Sequence, residues 1–211
     1  TKWMVGTVNS FYIGIIATAI ATGLGTMAAL GLSRPHMPYK ALIMSILISP
    51  MIVPLIITAA GMFFFYARIN LVYTFTGVIL AHVALATPFV VITVTATLVG
   101  FDMNMVKASQ SLGAKPLRTF FKVIMPLILP GIISGALFAF ITSFDEVVIV
   151  MFMASIDQLT IPKQMWAGIR QEISPVILCM ATCLVILSIV LLTTVELLRR
   201  RAERLRGIKA R

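Results

Sequence analysis

Negative charge is scarce in this chain: its 211 residues hold 7 Asp and Glu against 17 Lys and Arg, and only 2 His and 2 Cys. Cys179 and Cys183 lie four apart in an apolar run without the flanking His or Cys of a metal site, and are expected to be small, buried packing residues. His82 stands alone in another apolar run and His36 sits in a basic turn, so both read as structural rather than catalytic. No G-x-x-x-x-G-K-[ST] occurs, which excludes a phosphate-binding loop within the chain itself. Period-two alternation is absent too, which argues against a membrane β-barrel. These absences leave no catalytic, metal-binding or cofactor-binding residue to nominate.

What the chain has in plenty is apolar length. With 60% hydrophobic and 11% charged residues it reads as a polytopic membrane protein, a single helical unit over residues 1–211. Since a helix needs about 20 apolar residues to cross the bilayer, five spans are expected: about Val8 to Leu32, Ala41 to Tyr66, Phe75 to Val99, Val123 to Met153, and Val176 to Leu198. The net charge of +10 resides in no soluble basic domain, so it reports membrane orientation rather than nucleic-acid binding. Grouped by alternate connectors, 13 cations fall in the 33–40 turn, the 100–122 loop and the basic tail 199–211. Only Lys2, Arg68, Lys163 and Arg170 fall on the other side. The positive-inside rule then puts the N-terminus outside and the tail in the cytoplasm. Thr1 opens the chain with no signal sequence before the first span, so a truncated or processed start is expected.

Prolines mark where spans should bend: Pro50 and Pro54 in the second, Pro88 in the third, Pro126 and Pro130 at the start of the fourth. Such breaks fit either a solute pathway or ordinary proline tolerance in membrane helices. Gly131 with Gly135, and Ala21 with Gly25, are spaced for close helix approach. In the long connector from Ser155 to Pro175, Ile161, Met165, Trp166 and Ile169 can line one face of a short helix with Pro162 in its first turn. That helix would either rest in the membrane interface or face a partner protein.

The 100–122 loop is longer than a turn needs to be and carries its own pattern. Asp102 is suited to an N-cap, Met105, Ala108, Ser109 and Leu112 share a face, Gly113 is placed to end the helix in the left-handed conformation, and Pro116 prevents its resumption. The small groups on that face allow close approach by another protein; the alternative is an amphipathic helix lying on the membrane.

Ala108, Ser109, Gly113 three residues on, then Val123, Met125 and Pro126 after nine more, resemble the E-A-A, G, I-x-L-P signature of permease subunits from bacterial binding-protein-dependent ABC importers. The following run, with Ser143-Phe144-Asp145-Glu146-Val147-Val148, resembles the spermidine/putrescine-type branch. The resemblance implies an all-α type I permease fold and a coupling helix that docks on a cytoplasmic ATPase through Met105, Ala108, Ser109, Leu112, Gly113 and Ala114. It also implies a second, homologous permease subunit, two ATPase subunits that hold ATP and Mg, and an extracytoplasmic substrate-binding protein. Two departures stand out. Lys107 occupies the position where the family usually has an acid, and five spans replace the usual six. The competing reading is an ion- or proton-driven secondary transporter or channel, for which internal repeats or matched broken helices would be expected.

Asp145 and Glu146 interrupt the fourth span. A carboxylate at the centre of a membrane helix costs about 2.5 to 3.5 kcal/mol on insertion scales, which makes adjacent acids candidates for the pathway. On a continuous helix from Val123 they would lie about 33 Å along it, toward the outer end, and point about 100° apart. One would then face the pathway and draw in an organic cation, while the other paired with a neighbour. A purely structural ion pair, to Arg170 or a partner chain, is the alternative.

Overall fold

The computed structural model describes residues 2–34, 37–99, 101–102, 104–171 and 175–205. His36 and the end of the basic tail lie outside them. Among the described residues all regular structure is helical: α1 (Lys2–Leu32), α2 (Lys40–Ile52), α3 (Leu55–Arg68), α4 (Phe75–Val99), α5 (Asn104–Ser111), α6 (Pro116–Thr119), α7 (Met125–Phe144), α8 (Val148–Met153), α9 (Ile161–Gln171) and α10 (Pro175–Leu205). Four stretches are long and apolar enough to cross a membrane, beginning at Lys2, Phe75, Pro116 and Pro175, and α2 with α3 makes a bent fifth.

Helices α1, α4 and α7 form the core. Small residues let them approach. A Cβ on Gly25 of α1 would come within 2.6 Å of the Val90 Cβ on α4, and Gly131 and Gly135 of α7 sit directly against Thr97 and Thr93 of α4. Val90 thus receives a glycine from each flanking helix and is fully buried. The spacing of Ala21, Gly25, Gly131 and Gly135 therefore does its work between helices of the same chain. Phe11 of α1 stacks edge-on against Phe144 of α7 with ring centroids 4.9 Å apart, which fixes the end of α7.

The second span is not one helix. It bends by 103° between Ile52 and Leu55. Val53, the residue before Pro54, is extended at φ −69°, ψ 134°, as the proline ring requires of its predecessor, and Pro54 then opens α3. Pro50 also deprives the Ile46 carbonyl of its helical donor, and the Ser49 hydroxyl donates to that oxygen instead at 2.8 Å. Ahead of the fourth span the turn widens to a π-helix over Phe120–Ile124, with Met125 N–H donating to the Phe120 carbonyl just before Pro126.

The fourth span also breaks, which the reading of a continuous helix to Met153 missed. α7 stops at Phe144, residues 145–147 are non-helical, and α8 begins afresh at Val148. Asp145 and Glu146 therefore do not point 100° apart on one helix. A third correction concerns the cysteines: Cys179 and Cys183 are exposed, not buried. The reason lies in α10, whose most apolar stretch is only 6% buried against this chain and so presents its surface to lipid or another subunit.

Candidate functional site

The two broken spans meet. A cavity of about 600 Å³ lies between the α2–α3 break and the α7–α8 break, lined by Pro50, Val53 and Leu55 on one side, Thr142 and Asp145 on the other, and Leu85 and Phe89 of α4 behind. Leu85 and Phe89 flank Thr87, the midpoint of α4, so the cavity sits level with the middle of that helix.

The two carboxylates have separate environments. Asp145 is exposed to the cavity, and its side chain has no hydrogen-bond partner among the described residues. Glu146 is buried and folds onto the N-terminus of α8, where its Oε1 accepts from Val148 N–H at 2.8 Å and its Oε2 from Ile149 N–H at 2.8 Å and Val150 N–H at 3.2 Å. An anion there satisfies amides that a helix start leaves without partners and complements the helix dipole. The alternative, an ion pair to Arg170, is absent among the described residues, and backbone amides hold Glu146 instead.

At the other end of α8, Lys163 Nζ donates to the carbonyls of Ala154 at 2.7 Å and Val150 at 3.4 Å. The six-residue helix is therefore held by an anion at its start and a cation at its finish. Nothing in the sequence spacing of Glu146 and Lys163 discloses this pairing across one short element. Lys163 belongs to α9, which is in turn fastened to α1: Asn9 Nδ2 donates to the carbonyls of Asp157 and Leu159, and Ser10 Oγ accepts from Ile161 N–H. Ile161 is buried by this latch, whereas Trp166 and Ile169 are exposed, so the four apolar residues assigned to one face divide between two. In the core, His82 is fully buried with Nδ1 2.7 Å from Ser143 Oγ.

The 100–122 loop follows its sequence closely. Asp102 Oδ1 accepts from Asn104 N–H at 2.9 Å, as an N-terminal cap. Gly113 has φ +79°, and Gly113 N–H to Gln110 O with Ala114 N–H to Ser109 O closes the helix as a Schellman pair. Ala114 is thus part of the helix stop. Met105, Ala108 and Leu112 are exposed, but Ser109 turns inward and bonds to the buried Thr119 hydroxyl of α6 at 3.0 Å. The face also extends further than the spacing indicated, with Leu117 and Phe121 exposed beside it.

Residues 21–204 match the family model described as binding-protein-dependent transport system inner membrane component. The chain belongs to this family. It is similar to the spermidine/putrescine transport system permease protein PotC of Haemophilus influenzae, with 29% identity covering 92% of this chain and 76% of that protein. The putrescine transport system permease protein PotI of Escherichia coli is 30% identical over 82% of this chain and 64% of its own length. Among solved structures, an inward-facing MetNI methionine ABC transporter chain superposes with a TM-score of 0.68 at 18% identity, covering 99% of this chain and 96% of that one. A chain of a bacterial ABC transporter involved in import of the polysaccharide alginate gives 0.69 at 14% identity, covering 95% and 75%. The fold is that of the type I ABC importer permeases, and the resemblance to the spermidine/putrescine-type branch is confirmed. The chain is a multi-pass inner-membrane permease component that couples to an ATPase, not itself an enzyme. Broken helices are therefore no sign here of a secondary transporter.

Proposed function

We propose that this chain, as one unit over residues 1–211, forms half of the translocation pathway of an ATP-driven importer for a small organic cation of the diamine or polyamine class. The observation that carries the reading is the Asp145 carboxylate, without a cation partner among the described residues, in an otherwise largely apolar cavity between two broken helices. An aliphatic diamine presents methylenes and ammonium groups, and such a lining offers apolar surface beside the Asp145 carboxylate, while Glu146, also in the lining, is taken up by the α8 amides. The similarity to permeases named for spermidine and putrescine transport supports the same class.

A second, homologous permease subunit completes the pathway. Two cytoplasmic ATPase subunits hold ATP and Mg, and an extracytoplasmic binding protein delivers the solute. The 102–116 segment docks on the ATPase through Met105, Ala108 and Leu112, while Ser109, Gly113 and Ala114 hold the helix in shape. The loop 100–122 and the tail 199–211 lie in the cytoplasm, and α9 lies outside with the N-terminus of this chain. Lys107 replaces an acidic docking position with a cation, so the ATPase must meet it differently.

The test is uptake by the reconstituted complex in vesicles. Putrescine or spermidine should enter only with ATP and the binding protein, and neutral sugars or dicarboxylates should not. Cation uptake driven by a proton gradient without the ATPase would contradict the proposal.

A further inference from the structure

Two of the few cations assigned to the outer side share one recess. On α9, Lys163, Trp166, Ala167 and Arg170 recur at the spacing of a single helix face, and with Met151 of α8 they line a cavity of about 460 Å³. Arg170 is exposed and takes part in no ion pair or hydrogen bond among the described residues. Lys163 spends two of its three N–H donors on the carbonyl end of α8, which leaves one over, and it forms no ion pair among the described residues. Burial holds its pKa below the ordinary lysine value. Trp166 supplies a broad, half-exposed platform between the two cations.

We propose that this recess is where the permease receives an acidic segment of its extracytoplasmic binding protein, a carboxylate entering between Lys163 and Arg170 with its apolar neighbours against Trp166. The proposal rests on the importer reading above and adds the site and charge of the contact. Its position gives it leverage. Lys163 holds the end of α8, and the start of α8 is held by Glu146, next to the cavity's Asp145. A carboxylate arriving at Lys163 competes with the α8 carbonyls, so docking at the surface and the set of the cavity wall share one six-residue helix.

The experiment is a titration of the complete complex with its solute-loaded binding protein, reading ATP hydrolysis, in vesicles of phosphatidylcholine with and without phosphatidylglycerol. Arg170→Glu should raise the half-saturating binding-protein concentration at least about tenfold at low salt, since like charges then oppose each other across the contact, and should leave the maximal rate in place. Arg170→Lys should behave as wild type, and added salt should weaken wild-type docking more than that of Arg170→Glu. Filling the recess with Ala167→Phe should raise the half-saturating concentration without reversing charge. Half-saturation unchanged in both Arg170→Glu and Ala167→Phe would overturn the proposal. An Arg170→Glu effect seen only with phosphatidylglycerol would overturn it as well, in favour of a lipid phosphate. If wild-type complex is not stimulated at all, the importer reading falls and this inference falls with it; stimulation whose half-saturation neither Arg170→Glu nor Ala167→Phe shifts refutes the inference alone.

Discussion

Removing the Glu146 side chain should unlock α8. In Glu146→Ala three amide donors, those of Val148, Ile149 and Val150, lose their acceptor, and Ile149 and Val150 are buried. Leaving a buried donor unsatisfied costs about 1 to 3 kcal/mol, so the two buried amides alone give roughly 2 to 6 kcal/mol. A helix of six residues has little else of its own to hold it, because nucleation is unfavourable and few internal bonds follow. Glu146→Gln keeps one oxygen but turns an amide NH2 toward one of the donors, so it should fall between alanine and wild type. Hydrogen exchange at residues 148–150 of the purified complex reads this directly. Protection there should drop by at least about tenfold in Glu146→Ala, with α1, α4 and α7 unaffected, since each 1.4 kcal/mol is a factor of ten. Protection equal to wild type would refute the capping role and return Glu146 to the pathway.

Three further outcomes follow from the packing. Gly113→Asp should cost about 1 to 2 kcal/mol through its left-handed backbone rather than by collision, because nothing lies within 4 Å of a Cβ there. Binding-protein-stimulated ATP hydrolysis should fall while the complex still assembles, and unchanged hydrolysis would move docking elsewhere. Gly135→Val puts a branched side chain where α7 meets Val90 and Thr93 of α4, which should cost about 1 to 3 kcal/mol and lower the thermal midpoint of the detergent-solubilised chain. Ser143→Ala removes the partner of buried His82, so the same melt should drop by an amount matching about 1 to 3 kcal/mol, and His82→Leu combined with it should recover part of the loss.

The positions of the spans were legible because bilayer thickness imposes a length on apolar runs, and Pro54 announced the first break through its missing N–H. The helix stop at Gly113 was legible for a similarly local reason, since few residues other than glycine adopt positive φ without strain. The second break was not. Between Phe144 and Val148 there is neither proline nor glycine, and the chain breaks because Glu146 offers α8 a better start than continued helix would. The signal available was a carboxylate two residues before Val148 in an apolar run, which reads as a pathway acid and as a cap alike. The latch from Asn9 and Ser10 to residues 157–161 joins positions about 150 apart in sequence, beyond the reach of any local pattern. The cysteines were misplaced because burial inferred from hydropathy cannot tell a protein core from a lipid face.

The proposal that Asp145 meets the solute is the central claim, and uptake by its variants tests it most directly. In vesicles carrying the complete complex, ATP and binding protein, Asp145→Asn should lose labelled putrescine uptake by about tenfold or more while binding-protein-stimulated ATP hydrolysis and protection of residues 148–150 persist, as expected if only the cavity's anion has gone. Putrescine uptake at the wild-type rate in Asp145→Asn would contradict the claim that this carboxylate draws the cation through the cavity.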